Sequence, residues 1–255
     1  MKMPLAMVCL VFLAAGCAPE PPAPPEPSAS PSLATLEPGV LTVCTYTGFA
    51  PVSSKNESGE IVGTDITFVR HFAEENGLGL KFKEADFAGI WERPGRDECD
   101  LAAAGIAPLD TRKSPGVVWS APYFNVQRTL LIRKADAGVL HTIADFKGRT
   151  VAFTTGSTAE VDSRARAPEG TLFRGYTNQQ DPITDLLGGK IDAFGEGSIS
   201  NEYLARIHPE LAVIDAHEMS PPETFSLPTR EASHLLETLD PWIEAHKSEY
   251  AKELE

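Results

Sequence analysis

From residue 40 onward short apolar strands alternate with amphipathic helices, and this alternation constrains the fold more than any other feature. "VLTVCTY" (40–46) is a compact apolar strand, and "LGLKFKEA" (78–85) alternates as a strand should. Between them, "TDITFVRHFAEENG" (64–77) places Ile66, Val69, Phe72 and Ala73 on one helical face. Thr64 or Asp65 is its expected cap, and Gly77 closes it. "CDLAAAGIA" (99–107) reads as a strand of small residues, and "RTLLIRK" (128–134) as another. "GRTVAFTTGSTAEV" (148–161) is a strand that turns at Gly156 into a helix. "DPITDLLGGKIDAF" is a helix ending at Gly188-Gly189, followed by a strand. Leu235, Leu239, Trp242 and Ile243 mark one face of a last helix. Strands alternating with helices predict an α/β fold with mostly parallel sheets.

In such sheets ligands gather at the carboxyl ends of strands, where helix N-termini offer free N–H groups. Two segments have that form. "GSTAE" (156–160) sits at a strand-to-helix turn, where the N–H groups and hydroxyls of Ser157 and Thr158 are placed to cradle an anion. "DLAAAGIAPLDTR" (100–112) runs through small residues to a lone arginine, Arg112. By themselves, the first is equally a helix cap and the second a solvated turn.

The balance of 36 Asp+Glu against 22 Lys+Arg, net −14, argues against a nucleic-acid partner, which needs a basic face. The six histidines are scattered without metal-ligand spacing, so neither a metal nor another cofactor is expected.

The N-terminus predicts a tethered protein. Lys2 precedes the apolar "LAMVCLVFLAAGC", which has the length of a signal-peptide core and is too short to span a bilayer. It ends in "LAAGC", which resembles a bacterial lipoprotein box, slightly imperfect at Ala14, with Cys17 as the lipidated residue. Residues 18–32 follow with seven prolines, a semi-rigid spacer unable to form a packed core. The expected division is a signal peptide over 1–16 and a lipidated cysteine with its tether over 17–37. Of the remaining cysteines, Cys44 falls near the end of one strand and Cys99 at the start of another. If those strands are parallel the sulfurs lie at opposite ends, so two buried free thiols are expected.

The succession "LTVCTYTGFAPVSSKNESGEIVGTDITF", "DFAGI", "CDLAAAGIAPLDTR" and "WSAPYF", then "FKGRTVAFTTGSTAE" and "GYTNQQDPITDLLGGKIDAF", resembles the bacterial extracytoplasmic solute-binding proteins of family 3. These serve ABC importers of polar amino acids. The resemblance implies a two-lobed periplasmic-binding-protein-like fold, each lobe a mostly parallel sheet flanked by helices, joined by hinge strands. Lobe 1 would comprise 38–125 plus 216–255, and lobe 2 would comprise 126–215. It implies a monomer outside the cytoplasm, anchored to the membrane through Cys17, that delivers a small carboxylate-bearing solute to an ABC permease without catalysis.

The resemblance also assigns roles. Arg112 matches the residue that grips a ligand carboxylate as a planar fork. Thr158, with Ser157 beside it, matches the helix N-terminus that meets the same carboxylate from the second lobe. Phe49 and Phe87 match aromatic positions flanking the ligand, although both also suit a lobe core. Gly105 and Ala107 match positions where backbone contacts the ligand. Asp65 reads as a helix cap, and Trp91 and Trp119 as packing residues. One departure bears on specificity. Where amino-acid binders place an aspartate for the ligand ammonium, this chain has Gly197. Either Glu196 takes that role through a backbone shift, or the ammonium site is absent, so a carboxylate ligand is better supported than an α-amino acid. Two alternatives share the fold. "ARIHPELAVI" (205–214) resembles periplasmic cyclohexadienyl and arogenate dehydratases, in which Glu160 would match the acid, with Glu196 a second candidate. A sensor module for a membrane receptor would differ only in its partner.

Overall fold

A computed structural model describes residues 33–253. The expected signal peptide, Cys17 and most of the tether lie outside these residues. Residues 33–37 belong with the folded body: Leu33 packs on the larger apolar core, and the Leu36 N–H donates to Asp100 Oδ1 at 2.8 Å.

Two five-stranded sheets organise the chain. The first is built from β1 (Val40–Thr45), β2 (Gly79–Glu84), β3 (Leu101–Ala102), β4 (Val117–Trp119) and β10 (Pro228–Arg230), in the order β2-β1-β3-β10-β4. The second contains β5 (Arg128–Arg133), β6 (Thr150–Thr154), β7 (Leu172–Tyr176), β8 (Ala193–Gly197) and β9 (Leu211–His217), in the order β7-β6-β8-β5-β9.

Neither sheet is mostly parallel. In each, one strand pairs with parallel neighbours on both sides, β1 with β2 and β3, β6 with β7 and β8. The remaining pairs, β3-β10, β10-β4, β8-β5 and β5-β9, are antiparallel. Most of the strands that break the pattern flank the two places where the chain passes between the sheets, and there it must run backwards. Those passages pair with each other as an antiparallel ribbon, Phe124–Val126 against Glu223–Phe225. The ribbon supplies the expected hinge strands.

Helix α1 (Thr64–Glu75) buries Ile66, Val69, Phe72 and Ala73 as its spacing predicts. Helix α5 (Leu236–Lys252) buries Leu239, Trp242 and Ile243 against the same core, with Trp242 edge-on to Phe72. The second sheet carries α2 (Thr158–Arg166), α3 (Gln180–Leu187) and α4 (Ser198–Ile207), with apolar clusters on both faces.

Cys44 and Cys99 form a disulfide, with Cα atoms 5.8 Å apart, so the expectation of free thiols is wrong. The strands are parallel as supposed, Cys44 lying opposite Ala102. However, β3 is only two residues long and the chain bends at Asp100. Cys99 therefore arrives beside Cys44 instead of continuing back along the strand axis. The expected strand over 99–107 is cut short at its other end by Gly105, whose φ of +61° leaves the extended region.

Candidate ligand-binding site

The loops at the carboxyl ends of β1, β3, β6 and β8 face one another across the gap between the sheets. The empty space there measures about 300 Å³, part of it continuous with solvent. Six sequence-predicted residues line it. Phe49, Phe87 and Gly105 come from the first sheet's side, and Ser157, Thr158 and Glu196 from the second.

Each is placed by a local cause. Gly105 turns the chain after β3, where a Cβ would sit 2.5 Å from Phe49 Cε1 and 2.9 Å from Phe225 Cζ. Glycine is therefore the residue that lets Phe49 and Phe225 pack edge-on, their centroids 6.1 Å apart. Ser157 caps α2 by accepting from the Glu160 N–H at 3.2 Å. Its own N–H donates to Thr154 O at 3.1 Å, so of the two amides expected to cradle an anion only that of Thr158 has the freedom of a first-turn helix amide.

Arg112 and Ala107 flank this space without lining it. Arg112 is 3% exposed, and Nη1 donates to Ala107 O at 3.0 Å. Nη2 donates across the gap to Gly156 O at 2.9 Å, in the turn ahead of α2. The guanidinium lies 4.6 Å from the Trp91 ring centroid and 5.5 Å from that of Phe87, so Trp91 packs under the arginine. Among the described residues no carboxylate lies within 4 Å of it. Burial lowers its pKa to about 10; nearby Glu223 opposes that shift and Arg128 adds to it. It remains a cation at neutral pH.

Four lining residues escaped the sequence reading: Arg128, Glu223, Tyr46 and Thr154. Arg128 opens β5 directly opposite Gly197 of β8, and Glu223 lies opposite Val126 on the hinge ribbon. Arg128 Nε is 2.8 Å from Glu223 Oε2, and Nη1 is 3.7 Å from Glu196 Oε1. All three side chains are nearly inaccessible. The Arg128–Glu223 contact is an ion pair without an aligned hydrogen bond, since both of those atoms lack a bonding partner. Glu196 accepts from Thr154 Oγ1 at 3.1 Å and from the Gly197 N–H at 3.2 Å. Burial raises its pKa against the opposing pull of Arg128. The Tyr46 hydroxyl is buried without a partner, and burial, then Glu196, push its pKa up. A basic residue at the head of an apolar strand was the signal for Arg128. Glu223, in "SPPETFSLP", carried none.

Asp65 is an anchor and not a cap. Helix α1 is preceded by Gly63 and has no side-chain cap bond. The fully buried Asp65 carboxylate accepts from the Gly105 N–H at 2.7 Å, Tyr250 Oη at 2.7 Å and Tyr123 Oη at 3.0 Å. It ties α1, α5 and the Gly105 turn together, and burial raises its pKa to about 6. Glu160 is not among the residues lining this space: it accepts from the Gly156 N–H at 2.9 Å and pairs with Arg164 at 2.9 Å.

Comparison with known proteins agrees with this architecture. The L-arginine-binding protein of Pseudomonas aeruginosa is 26% identical over 155 residues, 60% of this chain and 59% of the relative. The chain thus matches about three-fifths of the length of such curated relatives. The solved structure of an ancestral arginine-binding protein bound to arginine superposes with a TM-score of 0.76 at 26% identity, over 84% of this chain and 96% of that one. An ancestral amino-acid-binding protein described as a precursor of cyclohexadienyl dehydratase gives 0.76 at 25% identity, over 84% and 93%. The sequence profile of the bacterial extracellular solute-binding proteins, family 3, matches residues 41–253, and with two sheets facing each other across a lined cleft the chain belongs to that family.

Proposed function

We propose that this protein binds a small carboxylate-bearing solute, an amino acid or a close relative, between its two lobes and delivers it to an ABC importer. The observation that carries the reading is Arg112, a buried guanidinium with no acidic partner among the described residues, held where the two sheets meet. A buried cation is costly unless paired, and a ligand carboxylate supplies the missing charge. Its fork geometry suits a carboxylate, and the first-turn amide of Thr158 approaches from the other lobe. Phe49 and Phe87 flank the solute, and Gly105 lines the same space, whereas Ala107 acts on it through the Arg112 guanidinium that its carbonyl holds.

Closure follows from the same contacts. The lobes already touch through Arg112 on Gly156 O and through the Ala50 N–H on Gln179 Oε1 at 3.2 Å. Ligand binding adds its own bonds to both sides and shifts the population toward the closed form. In this reading the protein is a monomer outside the cytoplasm, held at the membrane by a lipid on Cys17, and performs no chemistry. The orientation of Glu160, bonded to the Gly156 N–H and Arg164, supports binding over a dehydratase, which needs a free acid in the cleft.

A thermal-shift screen of the purified full chain against amino acids, amines and small carboxylates tests the reading. A carboxylate-bearing ligand should raise the midpoint, and the shift should vanish in Arg112→Ala. A shift produced only by ligands lacking a carboxylate refutes it, and turnover of prephenate or arogenate would move the protein to the dehydratase class. Release of the protein from membranes by Cys17→Ala tests the anchor.

A further inference from the structure

Gln179 spans the gap between the lobes. It stands immediately before α3, and its side chain bonds at both ends. The Ala50 N–H donates to Oε1 at 3.2 Å, and Nε2 donates to Ser200 Oγ at 2.6 Å. A backbone N–H can only donate, so the Ala50 contact fixes which end of the amide is the oxygen. Ser200 is fully buried on α4, so a helix of its own lobe braces the amide from behind. Among the described residues the Ala50 N–H has no other acceptor.

What Gln179 grips bears directly on the cleft. Ala50 follows Phe49 in the turn that carries the chain from Gly48–Phe49 to the antiparallel Ser53–Lys55. The Phe49 ring lines the cleft and reaches β8, where a Cβ on Gly197 would lie 3.7 Å from Cζ. Gln179 is not among the lining residues, so a ligand need not displace it. That separates it from the other bond across the gap, Arg112 Nη2 to Gly156 O, whose guanidinium the ligand carboxylate engages in the reading above. One hydrogen bond of ordinary net strength shifts a two-state equilibrium about fivefold.

We propose that Gln179 is a positioning residue: braced by Ser200, it clasps the Phe49–Ala50 turn of one lobe onto the other and favours the closed form before any ligand enters. Ligand binding then completes a closure that the chain already favours, and ligand entry and release require the Gln179–Ala50 bond to open.

Two measurements on the full chain without ligand test it: the radius of gyration by small-angle X-ray scattering, and exchange of the Ala50 amide by nuclear magnetic resonance. Gln179→Leu removes both bonds at similar side-chain size. It should enlarge the radius of gyration and speed Ala50 exchange about fivefold or more. Gln179→Glu keeps an acceptor for the Ala50 N–H and another for the Ser200 hydroxyl, and should leave both readouts at their unmodified values. A radius that is unchanged or smaller in Gln179→Leu overturns the inference, even with faster Ala50 exchange, because the bond would then be local and without hold on the lobes. Unchanged Ala50 exchange in that variant overturns it as well, and so does a Gln179→Glu chain that opens as the leucine variant does. Circular dichroism verifies the fold of each variant. Since no ligand is present, each of these failures leaves the carboxylate reading intact, and a failure of that reading leaves both readouts as they are.

Discussion

Replacing Gly105 with alanine isolates how the turn after β3 builds one wall of the cleft. The magnitude has two parts. A φ of +61° is costly for an L side chain, about 1–2 kcal/mol. The new methyl also meets Phe49 Cε1 at 2.5 Å and Phe225 Cζ at 2.9 Å. Both rings are buried, and overpacking of that kind costs about 1–3 kcal/mol. The expected destabilisation is therefore about 2–5 kcal/mol, read as a lower urea midpoint at unchanged slope. Gly39→Ala provides the control, since Gly39 has a φ of +78° and nothing within 4 Å of a Cβ. It should cost only the backbone part, about 1–2 kcal/mol. Because Phe49 lines the cleft, Gly105→Ala should also weaken ligand binding, whereas Gly39→Ala should not. Equal costs at the two positions, or undiminished affinity in Gly105→Ala, would show that close packing at Gly105 does not position Phe49.

Three further outcomes follow from separate parts of the molecule. The disulfide closes a loop of sequence separation 55, so replacing Cys44 and Cys99 with alanine should cost about 4 kcal/mol in urea unfolding; a loss below 1 kcal/mol would contradict this. Asp65 has its pKa raised from about 3.8 to about 6, so the native state binds its proton more tightly than the unfolded chain, and its ionisation costs about 3 kcal/mol. Relative to Asp65→Asn, the unmodified protein should gain stability as pH falls from 7 through 6 to 4; a relative loss over that range would reverse the assignment. Glu160→Gln keeps an acceptor for the Gly156 N–H and should change ligand affinity less than threefold by calorimetry, whereas a tenfold loss would place Glu160 in the site.

What the sequence made legible is what depends on local pattern. The 3.6-residue spacing of Ile66, Val69, Phe72 and Ala73 specified a buried helical face, and β1, β2, β5 and β6 fall where apolar runs predicted them. Phe49, Phe87, Gly105, Ser157, Thr158 and Glu196 meet in one cleft because each sits at a strand end or helix start, and the α/β alternation brings such ends together. What remained hidden depends on tertiary register. Arg128 meets position 197 only through the β8-β5 pairing, and Glu223 reaches it only because the second passage between lobes pairs with the first. Asp65 has the sequence context of a cap, and nothing local reveals that Tyr250, 185 residues later, donates to it. The disulfide was missed because the bend at Asp100 overrides the strand direction that made the pairing look impossible.

The central claim is that Arg112 holds a ligand carboxylate at the meeting of the two lobes. Calorimetry on the tightest ligand and its primary carboxamide, with the unmodified protein and with Arg112→Gln, tests it most directly. Two charge-assisted bonds at such a site are worth about 3 kcal/mol, so the amide should bind about 100-fold more weakly to the unmodified protein. In Arg112→Gln that difference should shrink to a few-fold. An amide that binds as well as the acid, or a 100-fold difference that persists in the variant, would contradict the account.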